Sequence, residues 1–248
     1  MLRVLTALTG LCASLLPAAA LVGGAPPAVQ SIARHVVLIV GGGSACTGVA
    51  IAPDLVLTAA HCVVNGGKFR LASFEGTRPT IRNVANVAAH PQFTLRDDAP
   101  DVGLVKIAPQ PRGHLLPVTF SDRRAPITVG DRFIVAGFGV TKPNDRRSAG
   151  KLRAATLMAT GRPNNQIVSL IDPQTLGEKA GLGVCNGDSG GPVFEERGGR
   201  LALIGIISWT GSNEGEPRCG FISGVIPLPR YHHWIVETAA KMGSRLEP

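Results

Sequence analysis

Apolar residues in this chain come in short runs, many of them β-branched, separated by glycine, proline and polar clusters. In the first half the runs are His35–Val40, Thr47–Ile51, Leu55–Thr58, Phe69–Ala72, Thr80–Ala88 and Val102–Ile107. Short apolar segments bounded by turn residues predict strands, not helices. The triple glycine at 41–43 reads as the hairpin turn between the first two, and Pro53-Asp54 as the turn between the next two. Six such strands make a plausible closed antiparallel barrel. A Pro-rich, turn-like stretch from Leu115 to about Thr128 then leads to further strands at Asp131–Gly139, Leu152–Met158, Ile167–Ile171, Leu201–Trp209 and Gly220–Ile226. Residues 141–150 are polar and predict a mobile loop. Only Tyr231–Lys241, with Trp234, Ile235, Thr238 and Ala239 at helical spacing, predicts a helix.

Composition agrees with an all-β chain. The 248 residues include 31 glycines and 19 prolines, with 17% charged and 44% hydrophobic, enough for a sizeable core and many turns. A formal charge of +8 raises nucleic acid, membranes or acidic glycans as partners. The basic residues are scattered, however, with only pairs such as Arg123-Arg124 and Arg146-Arg147, so a generally basic surface is expected and no nucleic acid. Nor is the triple glycine a nucleotide loop, because no Lys-Ser/Thr follows it and Cys46 stands where a further glycine would be needed.

Residues 1–20 read as a secretory signal, with Arg3, an apolar stretch from Val4 to Leu16, and the small residues Ala18-Ala19-Ala20 before the cut. The stretch is too short and interrupted to predict a membrane span, and no membrane anchor is expected after its removal. The expected compartment is therefore secreted or periplasmic, and oxidising. Removal of the signal takes Cys12 with it. Cys46, Cys62, Cys185 and Cys219 remain, an even count that predicts two disulfides with three possible connectivities.

Candidate chemistry centres on Val184-Cys185-Asn186-Gly187-Asp188-Ser189-Gly190-Gly191-Pro192-Val193. A serine flanked by glycines and preceded by an acid suits an exposed hydroxyl nucleophile, with nearby N–H groups free to approach an oxyanion. Such a serine needs a base and an orienter for that base. Leu57-Thr58-Ala59-Ala60-His61-Cys62 offers a histidine, and Asp101-Val102-Gly103-Leu104-Val105-Lys106-Ile107 offers an acid at the mouth of an apolar strand. Singly, each block has an ordinary alternative: a Gly-Asp-Ser-Gly turn, a core histidine or half a metal site, a strand-capping aspartate.

Together and in this order, the three blocks resemble the trypsin/chymotrypsin-like serine proteases, over essentially residues 21 to 241. The resemblance implies two six-stranded antiparallel β-barrels, about 21–118 and 129–230, with a C-terminal helix at about 231–241. It implies a Ser189 nucleophile, His61 as base, Asp101 as its orienter, and an oxyanion hole from the Gly187 and Ser189 N–H groups. It selects Cys46–Cys62 and Cys185–Cys219 as the disulfides. Leu21 looks like the mature amino terminus, which in this family pairs with the acid before the nucleophile, here Asp188. Ala89–Phe93 resembles the turn before the acid-bearing loop, and His90 and His114 are expected to be loop or surface histidines. Ser208-Trp209-Thr210 matches the segment that pairs with an extended substrate.

In the substrate pocket, Gly183 stands where trypsin-like members carry an aspartate, with Val184 beside it. Thr210 forms one wall, and Gly220 is expected to leave the opposite wall open. Small to medium apolar residues before the cut bond are therefore expected, although Glu214 and Glu216 nearby would favour basic ones. The partners implied are protein or peptide substrates; no metal, no cofactor and a monomer are expected. Two other classes compete. A catalytically inactive relative serving as a secreted basic binding protein is argued against by intact His61, Asp101 and Ser189. An α/β-hydrolase esterase would need Gly-x-Ser-x-Gly and the order serine, acid, histidine.

Overall fold

The structure, a computed structural model, describes residues 21–76, 78–96, 99–108, 115–164, 167–212 and 219–246. The expected signal, His114, Glu214 and Glu216 lie outside these. Six strands form a first closed barrel: β1 Val36–Gly41, β2 Ser44–Ala52, β3 Leu55–Thr58, β4 Arg70–Glu75, β5 Arg78–Ala89 and β6 Gly103–Ile107, ordered β1-β2-β3-β6-β5-β4. A second barrel holds β7 Arg132–Gly137, β8 Arg153–Asn164, β9 Ile167–Ile171, β10 Pro192–Arg197, β11 Arg200–Gly211 and β12 Ile222–Pro227, ordered β10-β11-β12-β9-β8-β7. All strand pairs are antiparallel.

Alternation within the apolar runs sorts side chains between two buried regions. Val37, Ile39, Val56, Leu71 and Val105 fill the first barrel, while Val36, Leu55, Leu57 and Leu104 face a core shared with Phe194, Leu203 and Ile206 of the second. Phe133, Val135, Leu157 and Leu170 fill the second barrel. Both faces of many strands are thus buried, which is why the runs look continuously apolar. Each fully buried leucine contributes roughly 1.5–3 kcal/mol, and the shared core fixes the barrels against each other.

Two elements were not predicted. The helix α1, Gln30–Ala33, is a single turn with no side-chain cap. The strand β10 begins at Pro192, three residues beyond Ser189, and its Glu195 is buried against Ser121 and near Arg123 and Arg197. The predicted C-terminal helix is α2, His232–Lys241, preceded by a 3-10 turn at Leu228–Tyr231. His90 is half-buried just after β5, with its ring 5.6 Å from Tyr231 and 5.0 Å from Trp234, which braces that helix. Among the described residues no helix is long and apolar enough to cross a membrane.

The amino-terminal segment crosses to the second barrel. Leu21 and Ala25 lie in its core with no exposed surface, and Pro27 bridges to Arg153. The polar loop 141–150 is organised by its own side chains. Asp145 accepts from Arg147 N at 3.0 Å, and Ser148 Oγ accepts from Thr141 N at 3.1 Å and donates to Asp145 O at 2.6 Å.

Candidate active site

Strand register brings the histidine to the aspartate. Thr58, the last residue of β3, pairs with Gly103, the first residue of β6. The residues leaving β3 and those entering β6 therefore meet at one end of the barrel. His61 lies in the 3-10 turn Ala60–Cys62 and donates its backbone N–H to Asp101 Oδ1 at 2.9 Å, while its Nδ1 is 2.8 Å from Oδ2. A carboxylate only accepts, so Nδ1 carries a proton, and in the neutral imidazole Nε2 is the nitrogen with the lone pair. Asp101 is 6% exposed, and Ser208 of β11 donates to its Oδ2 at 2.6 Å. Ser208 thus joins the two barrels at this carboxylate.

The Ser189 segment is held against the first barrel by Thr47 of β2, a residue the sequence did not single out. Thr47 is fully buried. Its N–H donates to Ser189 O at 2.9 Å, and its Oγ1 donates to Gly187 O at 2.8 Å while accepting from Phe138 N at 3.0 Å. Thr58 Oγ1, at the end of the strand that carries His61, donates to Thr47 O at 2.8 Å. Gly190 has φ +78°, and a Cβ there would lie 2.0 Å from Thr58 Oγ1 and 2.4 Å from Thr47 O. The glycine after Ser189 does more than leave the hydroxyl uncovered: it lets the loop press onto the strand ends that carry His61.

Asp188 is fully buried, with Oδ1 accepting from Gly139 N and Oδ2 from Cys185 N, each at 2.8 Å. Burial pushes its carboxyl up to about 7, against the pull of those two donors. Among the described residues no basic side chain pairs with it. Leu21 is buried in the core that includes Val184, and Val22 N donates to Gly183 O at 3.1 Å.

Both disulfides form with the pairing implied by the resemblance, Cys46–Cys62 and Cys185–Cys219. Cys46, His61 and Cys62 cluster with their ligand-type atoms within 4.8 Å of one another. The two cysteines are tied in a disulfide and have no thiolate to offer a metal.

A cavity of about 410 Å³ opens beside Ser189, lined by Val184, Asn186, Ile207, Trp209 and Thr210 among others. None of its described lining side chains is charged. Gly183 and Gly220 do not line it. They pack on each other, and a Cβ on Gly183 would lie 2.7 Å from Gly220 Cα. The residue opposite Thr210 across the β11–β12 pair is Ser223, not Gly220. Cross-strand partners project to the same side. Ser223 Oγ also accepts from Val184 N at 3.3 Å. Ser223 is buried and, like Gly220, is not among the described residues lining the cavity.

Two antiparallel six-stranded barrels, with a His–Asp pair and a glycine-flanked serine at their junction, define the class of double-barrel serine proteases. The Trypsin family model matches residues 21–235. The chain is 30% identical to Kallikrein-11 of Homo sapiens over 214 residues, 78% of this chain and 71% of the relative. The chain belongs to the trypsin family of serine proteases.

Proposed function

We propose that the chain is an exported endopeptidase, working as a monomer, that cleaves proteins or peptides through His61, Asp101 and Ser189. The observation that carries this is the 2.8 Å contact from His61 Nδ1 to a buried Asp101, which leaves Nε2 as the free base. In the proposed mechanism Nε2 takes the Ser189 hydroxyl proton as the oxygen attacks the scissile carbonyl carbon. The N–H groups of Gly187 and Ser189 receive the oxyanion. The imidazolium, stabilised by Asp101, returns the proton to the leaving nitrogen as the C–N bond breaks. Water, deprotonated by the same histidine, then hydrolyses the acyl-enzyme.

Substrate is held as an added strand along Ser208–Thr210. The pairing of β11 with β10 ends at Ile206, and Ile207 bonds to Gly190 and Gly191, which brings Ser208 to the mouth of the site beside Ser189. Among the described residues lining the pocket, which include Val184 and Thr210, there is no counter-charge for a buried arginine. Small to medium apolar residues, Ala, Val and Leu ahead of Phe, precede the cut. Cleavage mapping with a diverse peptide library tests this: cuts after Ala, Val or Leu are expected, and cuts confined to Arg would overturn the pocket.

A further inference from the structure

A second cleft, of about 640 Å³, runs from Gly187 and Asn186 between the β1–β2 hairpin and the 141–150 loop. It meets the pocket beside Ser189 at Asn144 and Asn186. The acyl side of a substrate lies along Ser208–Thr210 in the function proposed above, so this cleft takes the residues after the cut bond. Its floor is apolar, from Val40, Val140 and Ala149.

Its rims are basic. Arg146 lines one side, and Lys142 and Arg147 stand exposed on the same loop with no ion pair among the described residues. Asp145, also in the lining, accepts from Arg147 N and caps that turn, leaving the loop net positive. On the other side Val40 pairs with Arg70 across β1 and β4, so the exposed Arg70 stands on the same face as Val40. Arg70 is hydrogen-bonded to the neutral Asn83 and has no ion pair among the described residues. No acidic residue occurs in Val40–Ala45.

We propose that this cleft selects substrates with acidic side chains within the first three residues after the scissile bond, a span of about 10 Å, with Arg146 and Arg70 as the specificity-determining residues. The inference rests on the proposed protease function. Exposed charge pairs are individually weak, so two acting together give a preference on the order of fivefold at low salt.

The test uses two fluorogenic peptides identical up to an alanine at the cut, one continuing with Asp and Glu, the other with Lys at those positions. kcat/KM is compared at low and high ionic strength, for the wild-type chain and for Arg146→Glu with Arg70→Glu. A higher value for the acidic peptide is expected, shrinking in salt and reversing in the double variant. Equal values for both peptides at low salt, or a preference that survives the double reversal, would overturn it. Hydrolysis of neither peptide would instead bring down the protease reading beneath it, so the two failures are distinguishable.

Discussion

Extending the amino terminus by one residue changes the state of Asp188. We propose that cleavage after Ala20 frees the Leu21 amine to pair with this carboxylate, so that export activates the protein. With Ala20 retained, Asp188 is buried with two backbone donors and no cation among the described residues. Its carboxyl then sits at about 7 instead of its ordinary 3.8. That difference corresponds to roughly 4 kcal/mol once the group is ionised. A raised carboxyl pKa means that the folded state holds the proton more tightly. The associated stability is present below pH 3.8 and is lost as pH rises through about 7. For a chain of this size the loss lowers Tm by on the order of 10 °C. In the form beginning at Leu21 the ion pair removes this loss. The amine, ordinarily about 8, is raised by pairing, so its contribution is complete below about 8 and fades as pH rises through the folded value. Tm by scanning calorimetry from pH 4 to 10, with kcat/KM alongside, compares the two forms. The extended form should lose stability between pH 4 and 7 and have the lower kcat/KM at pH 7 and above, while the Leu21 form loses stability and activity only at alkaline pH. Superimposable profiles would refute the pairing, as would an active secreted protein beginning at another residue.

Three other perturbations test other parts of the site. Thr210→Gly should move preference toward Phe before the cut, read as the Phe/Ala ratio of kcat/KM; an unchanged ratio counts against Thr210 walling the pocket. Thr47→Val leaves the Gly187 carbonyl without its donor, at a cost of about 1–3 kcal/mol. Affinity for a peptide boronate, which mimics the oxyanion, should fall more than affinity for the product peptide, with Thr47→Ser restoring it; equal losses would make Thr47 merely structural. Replacing Cys185 and Cys219 together by serine should lower stability by about 2–4 kcal/mol in denaturant titration, and no loss would deny the bridge any stabilising role.

Strand positions were legible because glycine, proline and polar turns punctuate the apolar runs, and the His61, Asp101 and Ser189 blocks stood out by residue type and order. What stayed hidden is non-local. The strand β10 follows the serine loop at once, and half of it is Glu195-Glu196-Arg197, which reads as surface; Glu195 is buried because Ser121, Arg123 and Arg197 surround it. Loop 141–150 reads as mobile from its polarity, yet Asp145 and Ser148 tie it together. Thr47 gains its importance only from hydrogen bonds between the barrels, which no local pattern encodes.

The central claim, that Ser189 is a nucleophile activated by His61 and Asp101, is tested most directly by labelling with a serine-directed fluorophosphonate and locating the adduct by peptide mass spectrometry. One adduct per chain on Ser189 is predicted, forming at least a thousandfold more slowly in His61→Ala, whose removal of the base takes away most of the activation. A folded wild-type protein that stays unlabelled, or that carries its label on another serine, would contradict the account.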